Sequence, residues 1–307
     1  SVPLYVSEFH RVALRYEASL GDHTELQQTL TLGLDRSQGS PSLIPLHVPA
    51  VSSRLLAART RVAHRPADGV LVRAGVDAEL SDYAVDSAIP LPGGASLFSS
   101  RQDIAVGLFA DAVLDFGRGV QLTPGARVDL WGSQGTSALS ADVRFAARVP
   151  LTPRLRLIDT LGLAHQTPGF PIQVAGLAIA GLKGGLQRSF QTSAGVEADL
   201  PLDITGSVTF FHNAFFDLSD VMGQAEPTGS NGSYPTDLSW LNRRALGSAV
   251  GMEVHLRRKL SKQLGGFIAY TLSRSTRHVG RRSFAAQFDR THTLNAALSW
   301  EIGHGFR

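Results

Sequence analysis

The feature that most constrains this chain is a strict alternation of apolar and polar residues. Every second residue is apolar between positions 104 and 116, and again between positions 120 and 130, on either side of a Gly-Arg-Gly segment at 117–119. A period of two is typical of a β-strand with one apolar and one polar face. A three-residue loop that ends in glycine favours a hairpin, because its last position takes a left-handed conformation. The alternation therefore predicts a β-hairpin.

The length of this hairpin indicates a membrane. Its arms, residues 104–116 and 120–130, are each roughly twice as long as the commonest strand of a soluble protein, about 5–6 residues. A strand needs about 9–11 residues to cross the hydrocarbon layer at a tilt. The hairpin is therefore interpreted as the repeating unit of an outer-membrane β-barrel.

The same alternation recurs along the chain, which predicts about thirteen strands in series without a helix. The predicted connections are short near residues 20, 67, 118, 151, 202, 260 and 304, and long near 45, 92, 135, 175, 230 and 279. A membrane meander has short turns on one side and long loops on the other. The predicted fold is all-β, one partial transmembrane β-barrel over residues 1–307, antiparallel and up-and-down, with about 13–14 strands.

A soluble sandwich or propeller is the alternative that alternation alone leaves open. In such a fold Val72, Leu108 and Leu122 meet in a dry centre, whereas Asp77 and Asp111 lie in bulk solvent. Inside the hairpin, Pro124 cannot donate to a strand ladder. Together with Gly125 it predicts a bulge or a kink.

The composition and the motifs exclude several functions. The chain has no cysteine, so it has no disulfide, thiolate metal site or thiol nucleophile, and its formal charge of +3 without a basic run gives no indication of nucleic-acid binding. No stretch reaches the ~18 apolar residues of a membrane helix. There is no HExxH, GxSxG, P-loop or GxGxxG motif. We expect neither an enzyme, nor a cofactor, nor a bound metal.

The charged residues between the apolar ones are predicted to line a hydrated lumen. The alternative is cross-strand pairing that only holds the strand register. The predicted lumen-facing residues are Arg73, Asp77, Glu79, Asp111, Asp115, Arg127, Asp129, Arg144, Glu197 and Glu253.

Contact with a transported ligand is expected from the long loops and from the ends of the strands beside them. His165 has a second interpretation, as a solvated loop histidine. The candidates for ligand contact are His165, Gln166, Phe170, Tyr234 and Trp240.

Several segments resemble a known family. They are residues 251–260 (GMEVHLRRKL), 270–275 (YTLSRS), 288–295 (FDRTHTLN) and 122–129 (LTPGARVD). These segments are similar to barrel strands of TonB-dependent outer-membrane receptors, and the resemblance runs over most of the chain from about residue 100.

The resemblance implies a 22-stranded barrel in outer-membrane lipid, closed inside by an N-terminal plug. It implies import of scarce ligands such as siderophores and other iron chelates, cobalamin or glycans, with energy supplied by TonB through the plug. This sequence contains no plug, no TonB-contacting segment and no closing strand, so it is expected to be an internal piece that covers the middle and late barrel. A passive pore, which needs no plug, and a barrel-based lipase or protease remain as alternatives.

Overall fold

The structure is a computed structural model that describes residues 5–39, 50–86, 99–168, 182–219, 244–261, 264–287 and 289–300. The described residues form fourteen strands and one short 3-10 helix, Leu182–Gly184. None of the helical structure in these ranges is long and apolar enough to cross a membrane.

The strands form a single antiparallel sheet in chain order from β1 to β13, and β14 returns to pair with β12. Strands β1 to β12 have 12 to 17 residues each. This meander confirms the predicted partial up-and-down barrel. The strands are β1 Tyr5–Ser19, β2 Thr24–Gly39, β3 Val51–Ala67, β4 Val70–Val85, β5 Arg101–Asp115, β6 Gln121–Ser133, β7 Thr136–Thr152, β8 Leu155–Gln166, β9 Gln187–Leu200, β10 Ile204–Leu218, β11 Ala245–Ser261, β12 Leu264–Val279, β13 Arg282–Ala285 and β14 His292–Trp300.

The hairpin predicted over residues 104–130 is formed by β5 and β6. Its turn has positive φ at Gly117, Arg118 and Gly119, which glycine adopts without a steric penalty. The backbone N–H of Gly117 donates to Asp115 Oδ1 at 2.8 Å, and that of Val120 donates to the Gly117 carbonyl at 3.1 Å. The turn is therefore held by its own residues.

Of the bulge or kink predicted at Pro124, the bulge is wrong. Asp111 pairs with Gly125 and Leu114 with Leu122 in one unchanged register, and the ladder between β5 and β6 is only interrupted between these pairs. On the other side, Pro124 pairs with Phe145 of β7 without a shift. A proline lacks one N–H donor, so it removes hydrogen bonds towards one neighbour and leaves the pairing to the other intact.

The connections are sorted by length at one end of the sheet only. The end that carries the turns after β1, β3, β5, β7 and β9 has short connections throughout, and we call it the turn end. At the opposite, loop end, two-residue turns at Gln134–Gly135 and Gly280–Arg281 stand beside long connections. The long loop predicted near 135 is therefore wrong. Near 279 the connection between the paired strands β12 and β14 is long, as predicted, but it starts with a tight turn and carries the short strand β13. Positive φ at Gln134, Gly135 and Gly280 closes these turns tightly.

The sheet exposes its apolar side chains and buries several of its charged ones, which is the reverse of a soluble protein. Leu108 on the apolar face is 62% exposed, whereas Asp129 and Asp111 on the polar face are 2% and 7% exposed. A sandwich buries its leucines and exposes its carboxylates. This distribution excludes the soluble alternative for the described part of the chain and is that of a barrel with an apolar exterior.

Candidate functional site

All ten residues predicted to face the lumen lie on the polar face. In the strand register Arg73 is opposite Asp111, and Asp77 and Asp129 are both opposite Gly107. Glu197 is opposite Arg156, and Glu253 is opposite Thr209. The polar face is thus one continuous surface across the sheet, and its side chains come together across strands.

A cavity of about 450 Å³ opens on this face over β2 to β6. Two neighbouring rows of the ladder form it. The row nearer the loop end consists of Thr31, Ala57, Glu79, Ala105 and Trp131. The row nearer the turn end consists of Thr29, Arg59, Asp77, Gly107 and Asp129. We call this cavity the β2–β6 pocket.

Arg127 connects the acidic residues of the pocket. Its Nη1 donates to Asp77 Oδ2 at 2.6 Å, its Nη2 donates to Asp129 Oδ1 at 2.6 Å, and its Nε donates to Asp129 Oδ2 at 2.8 Å. Arg59 Nε lies 3.3 Å from Asp77 Oδ1. Asp129 is almost fully buried, and its charge is compensated by this forked contact, because a guanidinium presents donors that match a carboxylate.

Glycines on the polar face make room for these side chains. A Cβ at Gly107 would lie 2.2 Å from Arg127 Nη2 and 2.2 Å from Asp129 Oδ1. A Cβ at Gly75 would lie 2.6 Å from the Phe109 ring, over which the Arg59 and Arg127 guanidinium groups lie at 5.0 and 5.9 Å. The network therefore depends on the absence of side chains at these two positions.

Two further networks continue along the same face. Asp111 accepts from Arg73 Nε at 2.6 Å through Oδ1 and from Arg144 Nη2 at 2.6 Å through Oδ2. Arg156 donates to Glu197 at 2.7 Å and through both Nη atoms to Asp199 at 2.6 Å. Arg148 also donates to Glu197. Every one of these contacts crosses between strands.

Comparison with known proteins shows no match to a protein family model and no match to a curated protein sequence. Solved structures do match. The FrpB iron transporter from Neisseria meningitidis is 12% identical, with 97% of this chain and 49% of that chain covered and a TM-score of 0.66. The ferric-catecholate import receptor Fiu from E. coli K12 is 12% identical and has a TM-score of 0.70. The match covers 98% of this chain and 52% of Fiu.

The siderophore receptor PirA from Pseudomonas aeruginosa is 13% identical, covers 98% of this chain and 52% of its own, and has a TM-score of 0.63. This chain has the barrel fold of TonB-dependent outer-membrane receptors. The resemblance found in the sequence is thereby confirmed at the level of the fold. The chain spans about half the length of the structures it resembles.

The remaining candidates lie away from the pocket. Asp115 is the last residue of β5 and accepts a hydrogen bond from the turn residue Gly117, and Glu253 is exposed on β11. His165, at the loop end of β8, is mostly buried and its Nδ1 lies 2.5 Å from Asp142 Oδ1, so it is not a solvated loop histidine. Gln166 is exposed beside it, opposite Gln187. Phe170, Tyr234 and Trp240 lie outside the described residues.

Several residues of the polar face are not among the candidates predicted from the sequence. Arg59 lies in a strand whose pattern is less regular, and Trp131 lies just beyond the alternating stretch. Arg148 and Arg156 were also not selected. The alternation itself could have identified all four. Each lies an even number of positions from a predicted lumen-facing residue on its own strand, or is paired with a strand position on the same face as such a residue. No group of three potential metal ligands occurs within the described ranges.

Proposed function

We propose that this chain forms part of the wall of an outer-membrane importer that is energised by TonB. The observation that carries the proposal is the inverted sheet, with exposed leucines on one face and bridged carboxylates on the other, in the fold of iron and siderophore receptors. Exposed apolar side chains would face outer-membrane lipid, and the polar face would line a hydrated lumen.

The charged networks suit such a lumen. A carboxylate that is almost fully buried needs a charged partner, and Asp111 and Asp129 each have one. The half-exposed arginines keep the rest of the surface hydrated. A plug seated inside the barrel would meet this surface, and TonB would act on the plug rather than on this wall.

The transported ligand would be a scarce nutrient such as a siderophore, another iron chelate, cobalamin or a glycan. It would first contact the loop end, where His165 and Gln166 lie, and where Phe170, Tyr234 and Trp240 are placed by sequence. It would then pass along the polar face. The structural neighbours are transporters and receptors, and we propose no catalytic role for any residue.

Uptake by whole cells tests the proposal. The intact protein would be expressed in cells without other iron receptors, and accumulation of radiolabelled ferric citrate and a ferric catecholate would be measured with and without TonB. We expect accumulation of at least one chelate that disappears when TonB is absent. Accumulation that is unchanged without TonB would instead identify a passive pore.

A further inference from the structure

We propose that the β2–β6 pocket binds a cationic group, an ammonium or a guanidinium. The proposal rests on the proposed function in one respect, since it assumes that the polar face lines the lumen. It extends that function by giving the lumen a site for positive charge. The cation is either part of a solute or a side chain of the same polypeptide, and the experiment below separates the two.

The charges around the pocket leave a negative excess. Arg59 and Arg127 face Asp77, Glu79 and Asp129, which is two positive against three negative groups. The arginines are engaged with Asp77 and Asp129. Glu79 is exposed and accepts a hydrogen bond from Ser81 Oγ at 3.4 Å. The negative charge of Glu79 is therefore the one that the network does not compensate.

Asp77 does not offer a second place for a cation. Its Oδ1 is inaccessible to solvent and lies 3.3 Å from Arg59 Nε, and its Oδ2 accepts from Arg127 Nη1 at 2.6 Å. Ammonium and guanidinium groups carry only donors, so they need an acceptor that they can reach. Glu79 is therefore the carboxylate of the pocket that is open to a cation.

The shape of the pocket suits such a group. Glu79 lies between Ala57 and Ala105, whose small side chains leave space on both sides of its carboxylate. The Trp131 indole lines the same cavity, and its Nε1 donates to Ser140 Oγ at 3.2 Å, which holds the ring in place. Indole rings attract cations. A volume of about 450 Å³ holds a small organic cation together with water.

A second position on the polar face provides a control. Ala146 lies on β7 between Arg144 and Arg148, opposite Thr123 and Thr160. Asp111 bridges two arginines there, so its single negative charge is outnumbered. The two positions share the same face of the sheet but have opposite local charge.

The absence of cysteine allows a direct measurement of this charge. Ala105→Cys and Ala146→Cys would be introduced singly into the intact, purified protein. The rate of modification would be measured with cationic trimethylammonium-ethyl methanethiosulfonate and with anionic sulfonatoethyl methanethiosulfonate, each relative to the unfolded protein. We expect the cationic-to-anionic rate ratio of Ala105→Cys to exceed that of Ala146→Cys by roughly tenfold or more.

Two additions identify the groups involved. Glu79→Gln should lower the ratio of Ala105→Cys about threefold or more and leave that of Ala146→Cys unchanged, whereas Glu253→Gln, which removes an acid elsewhere on the face, should change neither. Methylguanidinium should slow the cationic reagent at Ala105→Cys in a saturable manner if the site accepts a solute.

Equal ratios at the two cysteines, or a ratio that Glu79→Gln does not alter, would overturn the proposal. A second supporting result is possible. If neither reagent modifies Ala105→Cys, and if Glu79→Gln restores the modification, the cation is a side chain of the polypeptide. Protection that Glu79→Gln leaves in place would overturn the proposal. The measurement needs no transport, so a failure of TonB-dependent uptake would not affect its outcome.

Discussion

The polar face differs between two parts of the sheet. Across β1 to β9 it carries arginines and carboxylates in cross-strand networks, such as the one around Arg127. Across β10 to β12 its middle carries mainly hydroxyl, amide and aromatic side chains, including Thr209, Phe211, Asn213 and Thr271, and Glu253 lies between Thr209 and Thr271. Both parts have the same apolar outer face. The difference shows that the outward side chains set the fold, whereas the inward ones are free to differ.

The largest effect is expected from a charge on the outer face of either part. Leu108→Arg on β5 and Leu272→Arg on β12 should each cost about 2–4 kcal/mol of unfolding free energy, because both place a guanidinium in lipid. Urea unfolding from lipid vesicles measures the loss. Thr271→Arg, one residue from Leu272 on the polar face, is the control and should cost far less. Similar losses for Leu272→Arg and Thr271→Arg would contradict the assignment of the faces.

A smaller effect is expected from adding a methyl group at a glycine beside the ion pairs of the charged part. Gly107→Ala should destabilise the protein by about 1–3 kcal/mol, because its methyl group overlaps Arg127 and Asp129. At Gly162, also on the polar face, a Cβ would meet only ordinary contacts of 3.4 Å or more. Gly162→Ala should therefore be neutral or stabilise by up to about 1 kcal/mol. Equal effects in urea unfolding would show that the tight packing around Arg127 is not needed.

The forked contact of Arg127 can be weakened without removal of its charge. Arg127→Lys should cost about 1–2 kcal/mol, because a single ammonium cannot bridge Asp77 and Asp129 as the guanidinium does. Arg15→Lys, at an exposed ion pair with Glu17, is the matched control and should have little effect. If the two variants unfold at the same urea concentration, the network around Arg127 does not stabilise the wall.

The smallest effect is expected on β10 to β12, where the polar face carries few charged side chains. Thr209→Val and Thr271→Val keep the side-chain shape and should change the unfolding free energy by less than about 0.5 kcal/mol. The same urea titration measures this change. A loss of 2 kcal/mol or more, ~four times that limit, would mean that hydroxyl groups hold β10 to β12 together much as ion pairs hold the charged part.

Much of the fold could be predicted from the sequence, since alternation and turn residues are local properties. The hairpin of β5 and β6 is an example. The tight turns at Gln134–Gly135 and Gly280–Arg281 could not be predicted, because glycine beside polar residues is common both in tight turns and in long loops. At Pro124 the sequence predicts a bulge or a kink, because it does not show which neighbouring strand the missing N–H donor would have faced.

The sequence by itself determined which residues share a face, because the strand period of two leaves no choice once the alternation is read. Only the tertiary structure decided which of them meet. Arg127 reaches Asp77, which is 50 residues away, across β5, and it can do so because the register places Gly107 between Asp77 and Asp129 and leaves room for the guanidinium there. The β2–β6 pocket depends on the register of five strands, and register is set by pairing between strands that are distant in sequence.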